Sequence, residues 1–200
     1  MYPTLLDTVT TRADARFRAA EQIGAVLFVT TLTAIAAQIS SPLPFTPVPF
    51  TFQPMVVLLG AAALGPRLGM ASQILYLALG VAGMPVFAAS PVLPQGAARL
   101  LGPTGGYLMT YPFAAFAAGW LAQRGFDRRY FTAVLAMICG LAVVFAGGVL
   151  WLTIASKPSI GLSGALAAGF VPFIVPDLLK LLAAAAVMPA LWRITGSASR

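Results

Sequence analysis

GFVPFIVPDLLKLLAAAAVMPAL, residues 169–191, is the stretch whose reading decides the fold. Apart from Asp177 and Lys180 it carries no charge. Its length is that of a transmembrane helix, for which roughly 20 apolar residues are needed. On a helix, residues three apart share a face. A charge inside a bilayer is costly, and such groups usually mark a ligand or ion pathway. One acid and one base on a shared face can meet a ligand that carries both a hydrogen-bond donor and an anion. They can also neutralise each other for packing, and spacing alone leaves both readings open.

The rest of the chain fits a membrane setting. It has 200 residues, of which 60% are hydrophobic and 8% charged, whereas ordinary soluble domains are roughly a quarter charged. Mean hydropathy is +0.91. The length suits six spans with short loops, and leaves no room for a separate soluble domain. The expectation is one integral membrane domain over residues 1–200: a polar cytoplasmic segment to about residue 20, a six-helix bundle over about 21–192, and a cytoplasmic tail over 193–200. The first span is read as uncleaved.

Composition also excludes chemistry. There is no histidine, so the commonest general base and metal ligand are both missing. The lone Cys139 lies in an apolar run and is expected to be packed and inert. No G-x-x-x-x-G-K-[ST] loop is present, so the chain is not an ATPase by that route. Gly161-Leu162-Ser163-Gly164 superficially resembles the serine motif of an intramembrane protease, but nothing can activate the serine. Ser163 is expected to cap the last span instead. No basic run interleaves with aromatics, so nucleic acid is not an expected partner. No enzyme activity, metal or cofactor is expected.

Hydropathy and Gly/Pro punctuation place spans at residues 21–40, 55–64, 68–79, 107–122, 130–155 and about 165–192. Two connections stand out. Residues 41–54 carry Pro42, Pro44, Pro47, Pro49 and Pro54 and no charge; proline prevents a regular helix there, and the segment reads as a lid. Residues 80–106 are crowded with Gly and Pro and read as loop or re-entrant backbone, which is tolerated at membrane depth only when buried in protein or lining a cavity.

Basic residues set the orientation. Arg12, Arg16, Arg18, Arg67, Arg124, Arg128, Arg129, Arg193 and Arg200 fall on one side of a six-span arrangement. Arg99 and Lys157 fall on the other. By the positive-inside rule both termini are cytoplasmic, and the lid faces outward. The net charge of +7 is therefore a topology signal.

Smaller motifs admit two readings each. Gly102-Pro103-Thr104-Gly105-Gly106-Tyr107 opens a span; its glycines allow a ligand close to the backbone, or only make a tight turn. Thr30 with Ala34, and Thr33 with Ala37, form a small-residue stripe suited to a partner helix or to internal packing. Trp120, Trp151 and Trp192 lie near span ends, as an aromatic belt requires. Arg99 is read as a solvated loop charge rather than a ligand contact.

Five segments together point to a family: TPVPFTFQ (46–53), LGPRLG (64–69), GMPVFA (83–88), GPTGGY (102–107) and PDLLK (176–180). In this order and spacing they resemble the BioY family, the biotin-binding S-components of energy-coupling factor transporters. The resemblance covers roughly residues 23–190. It implies a six-helix S-component in the cell (inner) membrane that captures biotin from outside with high affinity. It also implies a transmembrane coupling subunit and two cytoplasmic ATPase subunits as partners.

The same resemblance implies site roles. Asp177 meets the ureido ring and Lys180 the valerate carboxylate. Tyr107, Thr104, Gly105, Gly106 and Gln53 join the substrate site. Pro47, Val48, Pro49 and Phe50 belong to the lid, and Thr30, Thr33, Ala34 and Ala37 to the partner face. The chain departs from the family in places. Some members have an arginine directly after the tyrosine, where this chain has Leu108; Lys180 then acts alone, or Arg99 substitutes. A family asparagine contact has only Gln95 as a stand-in. The alternatives are an S-component for another small vitamin, or a solitary biotin carrier without ATPase partners.

Overall fold

A computed structural model describes residues 2–10, 15–90, 94–156 and 159–195. Arg12, Lys157 and Arg200, used in the orientation argument, lie outside the described residues. The fold is mostly helical, 75%. Nine helices are described: α1 (Leu5–Val9), α2 (Ala15–Gln38), α3 (Gln53–Leu64), α4 (Pro66–Val81), α5 (Ala98–Leu101), α6 (Gly105–Ala122), α7 (Tyr130–Ala155), α8 (Gly161–Gly169) and α9 (Val171–Ile194). A two-stranded ribbon, β1 (Ser40–Ser41) with β2 (Phe50–Thr51), pairs Ser40 with Thr51 and Ser41 with Phe50.

Three helical stretches are long and apolar enough to cross a membrane: Ala15–Gln38, Tyr130–Ala155 and Gly161–Ile194. The others are shorter than the six-span expectation needs. At 1.5 Å per residue α3 extends only about 18 Å. It is nevertheless strongly apolar and buries Val57, Leu58, Ala61 and Ala62.

Helix α6 is the hub and packs on α7, α4 and α3. Alanine and glycine line its buried side, with Ala114, Ala115 and Ala118 nearly inaccessible. Small residues let helices approach where apolar side chains gain nothing by leaving lipid. The α3–α4 turn is sharper than expected. Gly65 sits at φ 81°, a conformation that side-chain-bearing residues rarely adopt. Pro66 follows it as the first helical residue, where a missing N–H is harmless.

The last span is not continuous. It breaks at Phe170 (φ −125°, ψ −58°) into α8 and α9. Pro172 lies in the first turn of α9, while Pro176 and Pro189 lie inside it. The break lies between Gly169 and Pro172, ahead of Asp177 and Lys180.

Several sequence expectations change. Ser163 does not cap a helix; α8 starts at Gly161, after Ile160, and Ser163 is exposed in its first turn. Cys139 is exposed rather than packed, because it lies off the buried α7 stripe of Ala136, Met137, Gly140 and Val144. Trp192 is not a belt residue: it is fully buried, and its Nε1 donates to Asp127 Oδ2 at 2.6 Å. The α2 stripe turns inward. Thr30, Thr33 and Ala37 are buried and Ala34 half-buried. The Thr30 hydroxyl donates to the Ser72 carbonyl of α4 at 2.9 Å, and Gln73 donates to Thr33 at 3.3 Å. In this structure the stripe is an internal contact with α4 rather than a free face, because its hydroxyls find partners there.

Candidate functional site

The two charges on α9 touch each other. Lys180 Nζ lies 2.7 Å from Asp177 Oδ1, and both residues are buried. The ammonium also donates to the Thr51 carbonyl at 2.6 Å, and it sits 3.4 Å from the centre of the Phe50 ring. A buried ammonium needs this many partners to offset its lost hydration. Lys180 is thus saturated by an acid, a carbonyl and a π face.

The Pro-rich segment closes over this point. Its ends are tied by the β1–β2 ribbon. Its middle is tied by Thr46, whose hydroxyl donates to the Ala168 carbonyl at 2.6 Å. Phe50 packs edge-on to Phe52, with centroids 5.8 Å apart. Val48 is buried, whereas Pro47 faces out.

Beneath the segment lies a cavity with about 350 Å³ of space not filled by atoms, solvent at its mouth included. Its polar wall is Thr51, Gln53, Arg99, Thr104, Tyr107 and Tyr111. Val48, Pro49, Phe87, Ala88 and Leu108 complete it. Asp177 and Lys180 line a second cavity of about 240 Å³, with Met55, Leu58 and Met137 among its walls. Thr51 joins the two, as a wall of the first and the acceptor for Lys180.

The structure brings Val48, Pro49, Gln53, Thr104 and Tyr107 to the first cavity, while Asp177 and Lys180 line the adjoining one, linked to it through Thr51. Gln53 is held in place: its Nε2 donates to Tyr76 Oη at 2.6 Å, and Tyr76 donates to the Val86 carbonyl at 3.1 Å. Tyr107 donates to the Gly169 carbonyl at 2.8 Å, where the helix break has freed that acceptor. Gly105 and Gly106 do not line the cavity. A Cβ on Gly105 would strike the Leu100 carbonyl, and one on Gly106 would strike the Trp151 side chain. Both serve the close approach of α6 to its neighbours. Trp151 in turn donates to the Gly102 carbonyl at 2.9 Å and holds the turn.

These contacts gather four of the five motifs, all but LGPRLG, at the lid end of the bundle, and the BioY family's sequence model matches residues 9–197. The chain belongs to the BioY family. It is 40% identical to the probable biotin transporter BioY of Pyrococcus horikoshii, over 86% of this chain and 94% of that one. It is 39% identical to the biotin transporter BioY of Thermotoga maritima, over 79% of this chain and 88% of that one. Its fold is similar to the crystal structure of the S-component for biotin from an ECF-type ABC transporter. There the TM-score is 0.79 at 27% identity, covering 90% of this chain and 95% of that one.

Within this BioY-family chain, sequence reading does not single out Tyr111 or Phe87 as cavity residues and offers Arg99 only as a substitute carboxylate contact; all three line the cavity. Arg99 was read as solvated, yet it is 1% exposed. It rides on the short helix α5, inside the irregular stretch, and its Nη2 donates to the Ala88 carbonyl. Position within a Gly/Pro-rich segment gave no sign that the side chain turns inward. Tyr111 could have been found: it follows Tyr107 by one helical turn and so shares its face. Gln95 is exposed, donates to the Phe87 carbonyl at 3.4 Å and is not itself a wall of the cavity.

Proposed function

We propose that this chain is the biotin-binding membrane subunit of a vitamin uptake transporter, which captures biotin at one membrane face for import driven by ATPase partners. The observation that carries this reading is the lidded cavity, in a chain whose relatives are named as biotin transporters. Its walls suit the ligand. Biotin offers two ureido donors, an apolar bicycle and chain, and an anionic tail. The cavity offers apolar walls with a few fixed polar groups, which is the usual plan of a small-molecule site. The name of the structural relative supports a place in an ECF-type ABC transporter, and a coupling subunit and two ATPases complete the proposed assembly. The family is one of transport proteins, not of enzymes.

Six crossings, with both termini on the cytoplasmic side of the cell membrane, complete the proposal. Two ends of the bundle support it. Tyr2 N donates to the Gln123 carbonyl at 2.8 Å, and Arg128 lies over the rings of Tyr2 and Trp192. The N-terminal segment, the α6–α7 loop and the end of α9 thus gather at the basic end. The lid, α5 and the α8–α9 break gather at the other. A lid far from the basic loops faces outward by the positive-inside rule.

The test is calorimetric titration of the purified protein in detergent with biotin and a panel of other vitamins. One biotin per chain, with no comparable binding of the others, is the expected result. Preference for another vitamin would transfer the architecture to a different substrate. Retained biotin uptake in cells without the coupling subunits would remove the ATPase partners from the reading.

A further inference from the structure

Opposite the lid, at the basic end, another cavity holds about 1010 Å³ of space not filled by atoms, solvent at its mouth included. Four pieces of chain form it: α1, the first half of α2, the α3–α4 turn and the end of α6. It shares no wall with the two cavities near the lid.

Its charged walls are Arg67 and Asp7, both exposed. They face one space without pairing: among the described residues the ion pair is Asp177 with Lys180. Asp7 Oδ2 accepts from the Thr4 N–H at 2.8 Å and the Thr4 hydroxyl at 2.7 Å, which fixes the carboxylate and leaves Oδ1 open. The Arg67 guanidinium and the side-chain amides of Gln22 and Gln123, also on the wall, make no hydrogen bond among the described residues. A guanidinium is a planar fork of donors suited to a phosphate. The cavity therefore offers a fixed anion and an open cation, with amides beside them.

The remaining wall says what kind of molecule carries the matching charges. Phe116 and Trp120 line the cavity, one helical turn apart on one face of α6. They are 43% and 40% exposed. Trp120 stands near the end of its helix, at the level where tryptophan marks the boundary between hydrocarbon and headgroups. Arg124, one turn further on, lies over its ring. Apolar surface thus runs from the cavity toward the bilayer interior, while the charges lie at headgroup level. A small soluble anion would leave the two aromatic rings uncovered, and a purely anionic lipid would meet the Asp7 carboxylate with like charge.

We propose that this cavity holds the headgroup of a phospholipid with a primary ammonium, its phosphate on Arg67 and its ammonium on Asp7, and its acyl chains along Phe116 and Trp120. Basic pockets between membrane helices commonly take lipid headgroups; here the acid beside the base selects a zwitterion. The proposal needs only that the bundle lies in a bilayer, and it stands or falls apart from the biotin reading.

The test is native mass spectrometry of the purified full chain in detergent, titrated with dioleoylphosphatidylethanolamine, dioleoylphosphatidylglycerol and dioleoylglycerol, which share the same tails. Wild type is expected to hold one phosphatidylethanolamine per chain in preference to the other two. Arg67→Gln should weaken that lipid about 5-fold, the effect of one basic side chain at a membrane surface, and Arg67→Lys should recover part of the loss. Asp7→Asn keeps an acceptor for Thr4 and should remove the preference for phosphatidylethanolamine over phosphatidylglycerol. Arg193→Gln removes the same charge at the same end from a residue outside the cavity, and should leave binding unchanged. Because Arg67 makes no hydrogen bond or ion pair, Arg67→Gln should unfold, without added lipid, at the wild-type temperature. Equal losses in Arg67→Gln and Arg193→Gln would reduce the effect to diffuse surface charge and overturn the site. Dioleoylglycerol bound as tightly as phosphatidylethanolamine would remove headgroup recognition. Soluble phosphoethanolamine bound as tightly as the lipid would replace the lipid with a free phosphate ester, which also overturns the proposal.

Discussion

The two ends of the bundle are held by different chemistry. At the lid end, side chains donate to backbone carbonyls. Gln38 reaches Pro85 and Phe87, Thr46 reaches Ala168, Tyr76 reaches Val86, and Arg99 reaches Ala88. Tyr107 reaches Gly169, Trp151 reaches Gly102, and Lys180 reaches Thr51. At the basic end side chains pair with one another. Trp192 binds Asp127, Arg124 lies 3.0 Å over the Trp120 ring, and Arg128 covers Trp192 and Tyr2. The difference follows from the solvent. Irregular backbone away from water must find its donors inside the protein. A loop at the basic end can use water and spend its side chains on each other. The lid end is thus a set of loops cast around a cavity, and each donor holds one piece of the mould.

If that is right, the largest effect comes from splitting the α9 pair. Asp177→Asn leaves Lys180 buried without a counter-charge and should cost about 3–5 kcal/mol of stability. Lys180→Met strands Asp177 and also frees the Thr51 carbonyl, with a loss of similar size. The double change Asp177→Asn with Lys180→Met should cost less than the two single losses combined. Thermal unfolding in detergent across the four proteins measures the coupling. Additive losses would show that the pair does not act as a unit and that the lid is held elsewhere.

Much of this arrangement was legible in the sequence, for identifiable reasons. Residues 130–155 were placed to the residue, since a long apolar run between a basic loop and Ser156-Lys157-Pro158 has sharp ends. The shared face of Asp177 and Lys180 follows from helical spacing, and their contact at 2.7 Å bears that out. What could not be read was tertiary. The last span breaks at Phe170, between Gly169 and Pro172, while Pro176 and Pro189 sit inside α9 without ending it, and sequence does not say which proline stops the helix. Arg99 turns inward from a segment with no periodicity to betray it. The glycines of GPTGGY look like ligand contacts in sequence, but whether a Cβ would meet a ligand or Trp151 depends on a helix distant in the chain. The stripe on α2 shows the same limit, since small residues announce a close approach but not the partner.

A middle-sized effect tests the helix break directly. Tyr107→Phe keeps the ring, which packs against Gly148 and Gly169, and removes only the hydroxyl. The Gly169 carbonyl then loses its donor in a place that water reaches poorly. The expected loss is about 1–3 kcal/mol, read as a lower unfolding temperature. Biotin affinity should fall as well, because the α8–α9 break also anchors the lid through Thr46 and Ala168. A variant as stable as wild type would mean that α8 and α9 hold their break without Tyr107, and that the lid end depends less on these donors than its geometry implies.

The smallest effect lies at the basic end, and its sign can be derived. Asp127 sits in the α6–α7 loop and is 3% exposed. Burial pushes its carboxyl above the ordinary range, while the Trp192 bond and the nearby Arg128 charge pull it back only in part. Its Oδ1 has no hydrogen-bond partner, which further favours the neutral form. A folded value above the unfolded one means that the native state holds the proton more tightly. Stability from this group is therefore fully present below the ordinary carboxylate range and is lost as pH rises through the raised value. Asp127→Asn keeps an acceptor for Trp192 and cannot ionise. It should flatten that decline, so that the variant gains on wild type as pH rises from the ordinary carboxylate range upward. Unfolding temperatures of both proteins across that window decide it. A parallel pair of curves would place the ionised carboxylate comfortably in its pocket and make Arg128, rather than burial, the dominant influence at this end.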